Sequence, residues 1–228
     1  MQTKYLNFGP SYLYALHGSS EHHMKRWIRD RIAYVDSLLG YMVEFEKTKI
    51  TIRASKQGYV YIDLETYIPM YVTIHWRNED GGSGDQTKRV AKGEKVRFEY
   101  NIPTETDQEI IIYGGYYLKS LGDLSNLQPT YLLIANASRL TEIECHSPNL
   151  ISTELSKLTN LQRIDISDCP ALGTGIGAQF TLDVQNAKYL RYLDARNTQL
   201  TAIYTMKSGS NLEEIYYPES IQQVVLTN

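Results

Sequence analysis

Apolar positions change their spacing twice along this chain, and each change marks a different kind of structure. Over residues 24–39 they recur at helical spacing, at Met24, Trp27, Ile28, Ile32, Val35, Leu38 and Leu39, with Arg31 in the same stripe, while Lys25, Arg26, Arg29, Asp30 and Asp36 take the opposite side. One stripe of this kind belongs to an amphipathic helix docked by a single face. Ser19 or Ser20 suits its N-cap, Glu21 its first turn and Gly40 its stop. The pattern predicts a helix over 20–39 whose apolar side is taken up by the chain's own sheet or by a partner.

From residue 43 the spacing becomes two. Lys49–Ala54, Gly58–Glu65, Met70–Arg77, Glu94–Tyr100 and Gln108–Tyr113 are short β-branched and aromatic runs. Asn78–Gln86, with Gly81-Gly82-Ser83-Gly84, reads as a turn between two of them, and Gly114-Gly115 closes the series. These runs predict a small antiparallel sandwich over 43–115.

A third spacing then takes over. Leu140-x-x-Ile143-x-Cys145, Leu161-x-x-Ile164-x-Ile166, Leu190-x-x-Leu193-x-Ala195 and Leu212-x-x-Ile215-x-Tyr217 share one pattern, and Ile221-x-x-Val224-x-Leu226 repeats it near the C-terminus. Inward residues two apart mark a short strand, and the apolar residue three before them turns the chain into it. The starts lie 21, 29 and 22 residues apart, and the long interval holds Gly173-Thr174-Gly175-Ile176-Gly177, which reads as a loop inserted in one coil. Leu155/Leu158, Leu182/Val184 and Ile203 mark the back of each coil, with Val224/Leu226 in the same set. The expectation is a stack over 116–228 that ends on a half-coil, covered by another chain or by further sequence.

Composition narrows the classes. Of 228 residues, 42% are hydrophobic and 21% charged, as in ordinary globular proteins, and a net charge of −3 gives no footprint for nucleic acid or an anionic membrane surface. No apolar run approaches the roughly 18 residues of a spanning helix. The N-terminal MQTKYLNFGPSYLYALHG has no basic start followed by an apolar core, so no export signal is expected. Tyrosine is in excess, 19 against 4 Phe and 2 Trp, which suits half-exposed strands and contact surfaces. Cys145 falls at an inward strand position and Cys169 at a turn. That placement predicts two reduced thiols with Cα atoms beyond the roughly 7 Å reach of a disulfide.

Sites for chemistry are absent from the pattern. His17, His22 and His23 lack the four-residue helical spacing of zinc ligands. Gly82-Ser83-Gly84 has neither the spacing nor the context of a nucleophile elbow. The glycines of 173–177 precede no Lys-Ser/Thr and no predicted helix that would hold a phosphate. No carboxylate sits in an apolar segment that would raise its pKa for acid catalysis. No catalytic residue, metal or cofactor is therefore expected.

What remains is the outward face of the repeat strands. Two, four and six residues after each leading apolar residue stand Glu142, Glu144, His146; Arg163, Asp165, Ser167; Tyr192, Asp194, Arg196; and Glu214, Tyr216, Pro218. Strands about 4.8 Å apart would align these in columns. The middle column, Glu144-Asp165-Asp194-Tyr216, is acidic with an aromatic end. Arg163 and Arg196 flank it. Glu142, Glu144, Arg163, Asp165, Tyr192, Asp194, Arg196 and Tyr216 are the candidate binding residues, since Tyr and Arg are common interface anchors. A solvated, charge-balanced sheet face is the competing reading.

Three stretches carry a family resemblance. Tyr71-Val72-Thr73-Ile74-His75-Trp76, Val96-Arg97-Phe98-Glu99-Tyr100 and Glu109-Ile110-Ile111-Ile112-Tyr113-Gly114 resemble a polycystic-kidney-disease-type (PKD-like) sandwich leading into BspA-type leucine-rich repeats. Trp76 is followed by Arg77-Asn78-Glu79-Asp80-Gly81, a departure from the Trp-Gly-Asp-Gly of that pattern. The helix segment Lys25–Ser37 is similar to one in large virion proteins of crAss-like and related Bacteroidales phages. Taken with the residue patterns, this implies an α+β chain: an N-terminal segment and amphipathic helix (1–42), an Ig/PKD-like sandwich (43–115) and an irregular leucine-rich-repeat solenoid (116–228). The function implied is a non-catalytic structural or interaction module, a virion component of the tail or neck region assembled in the host cytoplasm. The alternative is a BspA-like adhesin at the bacterial surface. Expected partners are other virion or surface proteins or a host glycan, with self-association open; nucleic acid and a membrane span are not expected.

Overall fold

A computed structural model describes residues 50–54, 56–78, 83–102, 108–134, 137–174, 180–206 and 212–227. The chain divides into two compact units, Met1–Glu44 and Phe45–Asn228, and every described residue lies in the second. The predicted helix over 20–39 and the histidines 17, 22 and 23 thus fall outside the described residues. The α+β expectation is overturned. Among the described residues, apart from single 3-10 turns at Gly115–Tyr117 and Ser125–Leu127, the elements are all strands, so the architecture there is all-β and solenoid-like.

The strands β1 (Ile50–Ala54), β2 (Gly58–Thr66), β3 (Met70–Asn78), β4 (Ser83–Val90), β5 (Val96–Ile102) and β6 (Gln108–Tyr113) form two antiparallel layers, β1-β6-β3-β4 and β2-β5. Alternation drives this. Along β2, Val60, Ile62, Leu64 and Thr66 are buried while the residues between them are at least partly exposed. Ile52, Ile74, Trp76, Ile110 and Ile112 of one layer and Ile62, Leu64 and Phe98 of the other belong to one buried cluster. Each such large aliphatic or aromatic side chain contributes about 1.5–3 kcal/mol by leaving water. Trp76 lies in this core, stacked on Tyr100 with ring centroids 5.0 Å apart.

Within 78–86, predicted as a turn, the described residues differ from expectation: Asn78 ends β3, and 83–86 are strand. β4 begins at Ser83 and pairs with β3 as far as Val90. Its Gly84, Gln86 and Lys88 are half-buried although none is apolar. Gln86 and Lys88 instead reach the backbone of β5: the Gln86 amide bonds both Glu99 N–H (3.2 Å) and Glu99 C=O, and Lys88 Nζ donates to Arg97 C=O at 2.6 Å.

Both layers run on past residue 115. β7 (Leu118–Asp123) pairs antiparallel with β2 and parallel with β9 (Glu142–Glu144). β8 (Pro129–Leu133) pairs antiparallel with β1 and parallel with β10 (Ser152–Glu154). Segments 43–115 and 116–228 therefore share two sheets and one apolar core, which continues to Ile203.

Beyond this junction the chain coils. β9, β11 (Arg163–Asp165), β13 (Tyr192–Asp194) and β15 (Glu214–Tyr216) pair in parallel, with Ile143, Ile164, Leu193 and Ile215 in register. The residue after each leading leucine repeats one bond to the previous coil: Gln162 N–H to Thr141 C=O, Arg191 to Gln162 and Glu213 to Arg191, each 2.8 Å. Behind them β12 (Thr181–Asp183), β14 (Ala202–Met206) and β16 (Gln223–Thr227) pair in parallel, aligning Leu182, Ile203 and Val224. The fifth apolar repeat is thus a back strand, not another front strand. At Gly173 the backbone has φ of +95°, and a Cβ would stand 2.2 Å from the Gln199 carbonyl oxygen, so only glycine fits this close approach.

Candidate functional site

Two of the three predicted columns are in register. Glu142, Arg163, Tyr192 and Glu214 are in register across the four front strands, and so are Glu144, Asp165, Asp194 and Tyr216. The side chains behave less uniformly than their positions. Glu142 and Glu144 are exposed, as are Arg196 and Tyr216, whereas Arg163 and Tyr192 are half-buried. Asp165 and Asp194 are buried, at 7% and 1% exposure. The acidic column is therefore not an open stripe of carboxylates.

The two aspartates are held at the ends of their strands because the chain turns there. Asp194 Oδ1 accepts the Arg196 N–H at 3.0 Å, and Asp165 Oδ1 accepts the Ser167 N–H at 3.3 Å. The same bond recurs from Asp123 to Ser125 (2.8 Å) and from Asp183 to Gln185 (3.1 Å). Short carboxylate side chains favour this local closure of a turn. The buried charge of Asp194 is met by the Arg196 guanidinium through Nε at 3.1 Å and Nη2 at 2.5 Å, and by the Tyr192 hydroxyl at 3.2 Å. Burial pushes its carboxyl up, but the Arg196 fork and N–H outweigh this and hold it below the usual carboxylate range. Arg163 Nη2 donates to Asp165 Oδ2 at 2.8 Å.

The arginines also stack between coils. The Arg163 guanidinium lies 3.8 Å from the Tyr192 ring centroid, and that of Arg196 lies 4.7 Å from Tyr216. Tyr192 and Tyr216 are themselves 5.9 Å apart and tilted. Arg163, Tyr192, Arg196 and Tyr216 form a ladder in which each cation rests on the aromatic ring of the next coil. Burial and the Asp194 charge push the Tyr192 phenol up, and the hydrogen bond to Glu214 does the same for Tyr216.

Position six of the first two coils assembles a Ser–His–carboxylate trio absent from the binding set. Ser167 Oγ lies 3.2 Å from His146 Nδ1, and His146 Nε2 lies 3.6 Å from Glu144. The geometry does not activate the serine. Its hydroxyl donates to Asp165 Oδ1 at 2.8 Å, and His146 Nδ1 faces the Ser167 carbonyl at 3.0 Å, which requires Nδ1 to carry a proton. A protonated Nδ1 cannot take the hydroxyl proton. Burial lowers the imidazole pKa, but the Ser167 carbonyl and the charges of Asp165, Asp123 and Glu144 outweigh it and hold the ring above its ordinary value.

Cys145 and Cys169 are both buried and unbridged. They are nevertheless neighbours: Cys169 Sγ stands 3.3 Å from the Cys145 carbonyl oxygen and accepts the Ser147 N–H at 3.3 Å. The hydrogen bond to Cys169, then burial, pushes the Cys145 thiol well up.

At the end of the face opens a cleft of about 590 Å³ lined by Ser167, Asp168, Arg196, Asn197, Tyr217, Pro218 and Glu219. Asp168 and Asn197 carry left-handed backbone, with φ of 57° and 55°, and Asn197 Nδ2 donates to Asp168 Oδ1 at 2.6 Å. The repeat spacing placed Tyr217 as inward; in the structure it is half exposed. The repeat count reached Ser167, Arg196, Tyr217 and Pro218, but Asp168, Asn197 and Glu219 lie in the turns beyond it, so the cleft they complete was not legible.

Among the described residues, no group of three or more His, Cys, Asp or Glu side chains is placed to hold a metal, and no helix is long and apolar enough to cross a membrane. No family model, curated protein or solved structure matches this chain.

Proposed function

We propose that this chain is a structural and interaction module that binds through its repeat stack, as a component of a phage virion mediating protein–protein contacts or adhesion to a host surface. The observation that supports it is the arginine–tyrosine ladder. Arg163 and Arg196 are pinned by Asp165 and Asp194 and stacked on Tyr192 and Tyr216, so the face holds large side chains in fixed positions before any partner arrives. Preorganised aromatic and arginine side chains lose little entropy on binding, which favours contact surfaces. The virion assignment rests on the resemblance of the segment Lys25–Ser37 to phage virion proteins, taken with the order of helix, sandwich and repeats.

The test is to locate the protein by mass spectrometry in purified particles and in the surface fraction of the bacterial host. Copurification with particles at constant stoichiometry is the expected result. Recovery from the bacterial surface alone would replace it with the adhesin reading. Turnover of a glycan, peptide or phosphoester that is lost on one substitution would overturn both.

A further inference from the structure

The last coil differs from the others in three ways that point to one occupant. First, β15 and β16 each end their sheet, so the outer backbone edges of both have no partner strand among the described residues. Second, Tyr216, Tyr217, Val224 and Leu226 are exposed there, Leu226 to 52%. Third, residues 212–227 carry Glu213, Glu214 and Glu219 and neither Lys nor Arg. Arg196 of the preceding coil brings no net charge, because Asp194 neutralises it. Asp168, in the turn after β11, and Glu219, in the turn after β15, both line the cleft with Tyr217 and make no ion pair with a described residue.

We propose that this end of the stack docks an extended basic segment of another polypeptide. The segment adds a strand outside β15, covers the exposed apolar side chains, and sets a Lys or Arg side chain in the cleft between Asp168, Tyr217 and Glu219. Main-chain pairing on an open edge supplies affinity, and the cleft supplies specificity. A cation over a tyrosine face and between two carboxylates gains from both. A second copy of this end is a poor occupant, since two-fold pairing would set Glu213, Glu214 and Glu219 against themselves. A polyanion is repelled by the same charges.

This inference rests on the interaction-module reading and narrows it to one surface and one partner chemistry. The test uses the full chain and a short synthetic peptide alternating lysine with valine, with a glutamate–valine peptide as control. The lysine peptide should bind by fluorescence anisotropy and slow amide exchange at residues 214–216 and 223–227, and the control should not bind. The double variant Asp168→Asn/Glu219→Gln should weaken binding by about tenfold, equivalent to about 1.4 kcal/mol. Unchanged exchange over residues 161–195 verifies that the variant is folded. Equal binding of both peptides, protection elsewhere, no binding, or self-association that protects 212–227 would each overturn the proposal. Failure here with the protein present in particles sinks only the docking site; absence from particles and host surface sinks the broader reading instead.

Discussion

At the sandwich end of the repeat stack the front strand β9 lies against β7, which is paired in turn with β2, and the aliphatic centre of β9, Ile143, is 1% exposed. At the far end β15 occupies the same place in its coil with nothing beyond it among the described residues, and its centre, Ile215, is only half-buried. The residues are alike; the neighbours differ. The sandwich is a cap, and even its own outermost strand is managed, since Gln86 and Lys88 of β4 occupy the backbone groups of β5 at Glu99 and Arg97. Among the described residues no side chain does this for β15. Sheet edges left open invite pairing, and natural proteins cover the ones they do not use.

The largest test of this contrast is Leu193→Ala against Ile215→Ala. Leu193 is fully buried, and its truncation should cost about 2–5 kcal/mol in chemical denaturation. Ile215→Ala should cost less than half as much. Equal costs would mean that the far end is covered in solution.

Asp194→Asn should cost about 1–3 kcal/mol, because the Arg196 fork then faces a neutral amide. The Asp194 carboxyl is held below its ordinary range, so its contribution is present above an unfolded value of about 4. It is lost as pH falls through the lower folded value. Wild type and variant should therefore converge in acid, and a constant gap down to acid would remove the charge from the explanation.

Gln86→Ala frees two backbone groups of β5 and should cost about 0.5–1.5 kcal/mol. More telling is its effect on association. Sedimentation should show new concentration-dependent self-association if the side chain guards the edge; an unchanged monomer would deny that role.

His146→Gln should have the smallest effect, less than about 1 kcal/mol for a ring partly open to solvent. Its ordinary value of about 6.5 is raised in the fold. The stabilisation is present below that value and disappears as pH rises through the folded one. Denaturation midpoints of wild type and variant should draw together on the alkaline side.

The repeat register was legible because inward residues recur two apart behind a leading leucine, and Ile143, Ile164, Leu193 and Ile215 align on that count. The columns of the outer face followed from the same arithmetic. Burial of Asp165 and Asp194 did not, because a side chain at a strand end bends over to close the turn after it, and alternation carries no information about that. β4 was hidden for a different reason. Of its inward positions before Val90, Gly84 has no side chain, and Gln86 and Lys88 satisfy a neighbouring backbone instead of filling a core, so an apolar alternation never appears. The α+β expectation rested on residues 20–39, while the described chain folds as strands throughout.

The shared sheets also decide how the stack bears load. Hydrogen bonds between parallel coils run along the axis on which the coils follow one another, so a pull on the terminal coil along that axis peels one strand at a time and never shears many bonds together. With coils recurring at 21 to 22 residues outside the inserted loop, each coil released would pay out roughly 70–80 Å of extended chain. The sandwich shares its two sheets with the stack, so each coil released from the far end would leave the remaining ones still paired to it.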